Sequence, residues 1–139
     1  MSFMDWKECE KSFVRKVVLD KERFNSIIEL ALDRLKLVKS LKVTNQTFSF
    51  IIENYYEVVK ELLVAYMLKD GFRAKNHQCL ISYFYKKNSS LEKECLLISQ
   101  MSFFRNRLNY YREKIPFDFY EKNRTNFEKT IKVILEKLK

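Results

Sequence analysis

FSFIIENYYEVVKELLVAYMLK, residues 48–69, is the stretch on which the fold turns. Its apolar side chains, among them Phe48, Phe50, Ile51, Ile52, Tyr55, Tyr56, Val58, Val59, Leu62, Leu63, Tyr66 and Met67, recur at three- and four-residue spacing and cover several sides of a helix. A helix of this length spans about 33 Å, the width of a small domain. Apolar on so many sides, it belongs in the middle of a bundle. Gly71 stands where a left-handed residue would close it, and Thr44-Asn45-Gln46-Thr47 breaks the preceding pattern and offers caps.

The pattern continues outward in both directions. Asp20 reads as the N-cap of a helix to about Ser40, with Phe24, Ile27, Ile28, Leu30, Ala31, Leu35 and Val38 on its apolar face. Before it, Trp6, Phe13, Val14 and Val17 suggest a short, irregular first helix. After Gly71, Asn76 caps a short helix through Phe84. Ser89 and Glu92 read as a capping box for a helix to about Glu113, whose inward stripe is Leu97, Met101, Phe104, Leu108 and Tyr111. Pro116 ends that segment, and Asp118 with Glu121 reads as a second box opening a terminal helix with Phe127, Ile131, Ile134, Leu135 and Leu138. One Gly and one Pro in 139 residues leave little of the special backbone geometry that hairpins use. The expectation is an all-α fold, an antiparallel bundle of about five to six helices, with residues 1–139 as one domain.

Composition narrows the function classes. A single histidine, His77, removes most metal sites and catalytic triads, and one glycine removes phosphate-cradling loops. The reading therefore includes no metal and no cofactor. The three cysteines, Cys9, Cys79 and Cys95, lack paired metal or redox spacing and read as reduced thiols packed as small apolar side chains. No apolar run reaches the length of a membrane span and the first ten residues are polar, so the expectation is a cytoplasmic protein without a membrane partner. Residues 1–70 hold 12 Lys/Arg against 11 Asp/Glu, while residues 71–139 hold 15 against 7, so nearly all of the net +9 lies in the second half. That asymmetry suits an anionic partner such as RNA, DNA or a nucleotide, or a solubilising lysine-rich surface.

The polar run near the end of the fifth predicted helix concentrates the chemistry. At 100° per residue, Arg105, Asn109 and Arg112 share one face, and Asn106 and Tyr110 the adjoining strip. Guanidinium groups pair bidentately with phosphate, and a phenol donates a hydrogen bond or stacks on a base. An ordinary polar helix end, its cations facing the C-terminal dipole, is the alternative. Arg73 and His77 belong to a second basic turn, Arg73-Ala74-Lys75-Asn76-His77. His77 reads there as a surface or capping histidine, or as a nucleic-acid contact.

Arg105-Asn106 followed by a bulky polar residue at position 110 resembles the signature of the HEPN superfamily, small helical bundles in which a His follows the Arg by five residues. The stretch Ile52-Glu53-Asn54-Tyr55-Tyr56-Glu57-Val58-Val59-Lys60-Glu61-Leu62-Leu63, the turn Gly71-Phe72-Arg73 with His77, and the order of helices are similar to members of that group, over about residues 20–138. The resemblance implies a homodimer whose Arg-bearing helices line a shared cleft. In many members that cleft cuts RNA without a metal, the His moving a proton at the ribose 2′-OH or the leaving oxygen and the Arg steadying the phosphate. This chain departs from the pattern by carrying Tyr110, and a phenol is a poor base at neutral pH. The resulting expectation is a catalytically weak or inactive domain that binds RNA or a nucleotide, or partners a minimal nucleotidyltransferase protein in a toxin–antitoxin type of system. Two alternatives stand beside it: a metal-independent ribonuclease with Arg105 and Tyr110 as catalytic residues, and a structural dimerisation module. The candidate ligand- or RNA-binding residues are Arg105, Asn106, Asn109, Arg112, Arg73 and His77.

Overall fold

The computed structural model describes residues 3–139, which form six α-helices and a two-stranded ribbon. In chain order these are α1 (Trp6–Ser12), β1 (Val14–Lys16), α2 (Lys21–Ser40), α3 (Phe48–Lys69), β2 (Phe72–Ala74), α4 (His77–Lys87), α5 (Glu92–Tyr111) and α6 (Phe117–Leu138); a single 3-10 turn, Ser89–Leu91, leads into α5. The architecture is the all-α bundle that the apolar periodicity predicts.

The central helix is the one the sequence singles out. Along α3, Ile52, Val58, Val59, Leu62 and Ala65 are fully buried, because α2, α4, α5 and α6 all pack on it. The direction of each neighbour follows from its side-chain pairings. Arg34 donates to Asn54 at 3.1 Å, so α2 runs back along α3 as the first arm of a helical hairpin. Arg105 reaches Glu57 and the Ile115 amide reaches Ser49 Oγ, which makes α5 antiparallel to α3 as well. Tyr56 meets His77 while Tyr66 meets Phe84, so α4 follows the sense of α3. The same holds for α6, where Tyr55 stacks on Phe127 and Lys69 donates to the Lys137 carbonyl.

Where local chemistry sets a boundary, the expected residue does the work. Asp20 accepts from the Arg23 amide at 3.1 Å and Asn76 from the Cys79 amide at 2.9 Å. Gly71 adopts φ +85°, and its carbonyl accepts from the Val17 amide at 2.9 Å.

Other expectations are corrected. Val14 lies in β1 rather than in a helix, paired antiparallel with Ala74, as Arg15 is with Arg73 and Lys16 with Phe72. That pairing partner is about sixty residues away and invisible to local periodicity. Ser89 enters a 3-10 turn instead of capping α5, which starts at Glu92 with no side-chain cap. Pro116, with its fixed φ, takes the N-cap position of α6 and leaves Asp118 inside the first turn. Helix α5 stops at Tyr111 because Arg112 turns left-handed at φ 58°. Tyr111 and Leu30, expected inside, are 66% and 65% exposed. Cys9 and Cys79 are joined in a disulfide between α1 and α4, contrary to their reading as reduced thiols. Only Cys95 is free, and burial pushes its thiol up to about 12. Among the described residues no helix is long and apolar enough to cross a membrane.

Candidate functional site

The β1–β2 ribbon and the Asn76 cap place His77 as the first residue of α4, facing the middle of α3. There the Tyr56 hydroxyl lies 3.3 Å from His77 Nδ1. If Nδ1 carries the proton it donates to Tyr56 and leaves Nε2 with the lone pair; in the other tautomer Tyr56 donates and Nε2 is the N–H. Arg105 arrives from α5, its guanidinium 6.0 Å from the Tyr56 ring centre. His77, Arg105, Asn106 and Tyr110 thus line one open hollow of about 320 Å³, together with Lys75 and Gln78.

A second hollow of about 290 Å³ adjoins the first, since Lys75 and His77 line both. Its other cations are Arg23, Lys60 and Arg73. Together the two hollows extend from α2, past the end of β2, to α5, and His77 borders both. Arg23, Arg73 and Lys75 take part in no ion pair among the described residues, which leaves their charge available to an anion.

Lys60, Glu61 and Arg105, which line the hollows, belong to a half-buried charge cluster with Glu57. Glu57 accepts from Lys60 at 2.8 Å and from Arg105 Nη2 at 3.1 Å, and Lys60 also lies 3.4 Å from Glu61. Burial pushes the Glu57 carboxyl up, but the hydrogen bond and charge of Lys60, with Arg105 behind them, hold it below its ordinary value. For His77 burial and the charges of Lys60 and Arg105 act in the same direction and lower its pKa from 6.5. Burial raises Tyr56, which keeps its phenol protonated beside the imidazole. Arg105 donates to Asn106 at 3.3 Å, while its buried Nε–H has no partner. The arrangement joins a neutral imidazole to a positioned guanidinium and rims both with free cations. Such a set can hold a phosphodiester and move a proton beside it.

Not every predicted residue joins it. Arg73 lines the adjoining hollow with His77. Asn109 is half-buried but lines neither hollow, and Arg112 leaves the predicted face when the backbone turns left-handed. Tyr110 stands at the rim, 72% exposed. The sequence reading missed Tyr56, Glu57, Lys60, Lys75 and Gln78. The Glu57/Lys60 pair is an i, i+3 helix-face signal that could have been seen. Nothing local could show that it holds Arg105.

Among the described residues no group of three His, Cys, Asp or Glu is placed to hold a metal ion. In comparisons with known proteins, the chain matches no family model, no curated protein and no solved structure.

Proposed function

We propose that this chain is a HEPN-like RNA-binding domain, and that His77 supplies the proton-transfer group that the motif lacks at position 110. The observation that carries the reading is the presence of His77 and Arg105 in the lining of one hollow, although they come from different helices. Arg105 faces the scissile phosphate, and Arg23, Arg73 and Lys75 hold its neighbours. His77 takes the proton of the ribose 2′-OH as that oxygen attacks phosphorus. The bond from phosphorus to the 5′-oxygen breaks, the leaving oxygen takes a proton from water or from the Tyr110 phenol, and a 2′,3′-cyclic phosphate remains. A second copy of the chain completes the cleft through the exposed aromatic end of α5, where Phe103, Tyr110 and Tyr111 are half or more exposed.

The test is cleavage of a single-stranded RNA in EDTA, with binding followed in parallel by fluorescence anisotropy. The wild type is expected to cut slowly and to lose affinity steeply with salt. Arg105→Ala should lower both cleavage and affinity, whereas His77→Gln should lower cleavage and leave affinity nearly intact. Binding that ignores salt, or cleavage that survives both substitutions, refutes the assignment.

A further inference from the structure

A third concavity, of about 460 Å³, lies where α1 and the end of α4 meet the ribbon, and the RNA reading does not use it. Its wall is aromatic. Trp6 and Tyr83 rings are 5.1 Å apart and Phe72 and Tyr83 rings 6.0 Å, each pair tilted by 56°; Tyr83 is buried behind them, and Trp6 and Phe72 are the partly exposed rings. Its rim is cationic, with Arg15 and Lys16 from β1 and Lys86 and Lys87 from the last turn of α4. The ammonium of Lys86 sits 5.2 Å from the Trp6 ring centre and that of Lys87 5.7 Å from the Tyr83 ring. None of the four cations takes part in an ion pair among the described residues. Glu10 is the only acid in the lining. The Trp6 indole N–H, shut away from solvent, has no acceptor.

Each feature selects part of a ligand. A π wall favours a flat ring laid against it. Four free cations favour a group with several anionic oxygens. Glu10 repels a bare anion but accepts from hydroxyl or amino groups, so it favours a ligand that carries such donors beside its charge. The hollow is within the size range of small-molecule sites. We infer that it binds a nucleoside phosphate, the base against the partly exposed Trp6 ring, the phosphate toward Arg15 and Lys86, and Glu10 accepting from sugar hydroxyls. The ligand is either a free mononucleotide or the phosphorylated end of an RNA strand. The inference does not depend on the role given to His77 and Arg105.

Trp6 is the only tryptophan in the chain, so its emission reports on this hollow alone. Adenosine monophosphate titrated into the full chain should change that emission saturably, with calorimetry giving the same affinity. Adenosine and inorganic phosphate, each carrying half of the recognised chemistry, should bind at least about tenfold more weakly. The exposed pair Arg15→Ala/Lys86→Ala should weaken the nucleotide by a similar factor, and Arg105→Ala should leave it unchanged. A 5′-phosphorylated oligoribonucleotide that displaces the nucleotide makes a strand end the occupant; one that leaves it bound makes the free nucleotide the occupant. Three results overturn the inference: no saturable binding, equal affinity for inorganic phosphate and nucleotide, or loss of binding in Arg105→Ala but not in the double variant.

Discussion

His77 is set by burial and by the charges of Lys60 and Arg105, which favour its neutral form and outweigh the opposing pull of Glu57 and Glu61. In a cleavage reaction that uses it as a base, the rate should rise with pH along a limb whose midpoint lies below 6.5, the ordinary value. His77→Gln should abolish that limb and cost about 10² to 10⁴ in rate. A limb centred at or above 6.5, or one that persists in the variant, would assign the titration to another group. Stability follows the same group. The unfolded chain takes up a proton near 6.5 more readily than the folded one, so the fold keeps its full stability above that pH and loses some as the pH falls toward the lowered folded value. Glu57 adds a second acid-side loss: its stabilisation is complete above 4.5 and disappears as the pH falls through its lowered folded value. Residue-level chemistry was legible where it is local. Asp20, Asn76 and Gly71 act on backbone groups within a few residues and could be assigned from type and position. The meeting of His77 with Arg105 is tertiary, set by how α4 and α5 pack on α3, and no spacing rule encodes it.

At the scale of the element, the end of α5 shows why the predicted face was only partly right. A helix continued to Glu113 would keep Arg105, Asn109 and Arg112 aligned, but Arg112 takes the left-handed cap conformation, which disfavours any residue with a Cβ. Glu113 then folds back, and Arg107 pairs bidentately with it at 2.6 and 2.7 Å while lying over the rings of Phe103 and Tyr111. Arg112→Gly should therefore stabilise the protein by about 1 kcal/mol in urea unfolding, by relieving the strained φ. RNA affinity should hardly change, since Arg112 lines neither hollow; a large drop would restore it to the binding face. The same helix end exposes Phe103 and Tyr111 at 50% and 66%. If that strip is the association face, sedimentation should show a dimer at micromolar concentration and Phe103→Ser should shift it to monomer. A wild-type monomer, or a dimer indifferent to Phe103→Ser, places association elsewhere.

For the molecule as a whole, the bundle was legible because one helix, α3, is apolar on nearly every side and can only be central. The N-terminal segment was not, since its order depends on partners far along the chain: β1 on β2, and Cys9 on Cys79, seventy residues away. Spacing in sequence does not report such proximity. The disulfide bears on both candidate sites at once. Cys9 belongs to α1, which supplies Trp6 and Glu10 to the aromatic hollow, and Cys79 is two residues beyond His77 in the first turn of α4. A cross-link across this separation restricts the unfolded chain by about 4 kcal/mol in the loop-entropy account. Treatment with a reductant, or the Cys9→Ser/Cys79→Ser variant, should thus lower unfolding stability by about 2–5 kcal/mol. Hydrogen exchange should quicken in α1 and β1, which the bond and the ribbon hold in place, while α3 stays protected by the four helices around it. Cys95 should resist alkylation before and after reduction, because its thiol is buried and held almost wholly protonated. Two new alkylation sites should therefore appear on reduction, at Cys9 and Cys79. An unchanged unfolding midpoint after reduction, or alkylation of Cys79 in the untreated protein, would show that the clamp between α1 and α4 is held by packing and the ribbon alone.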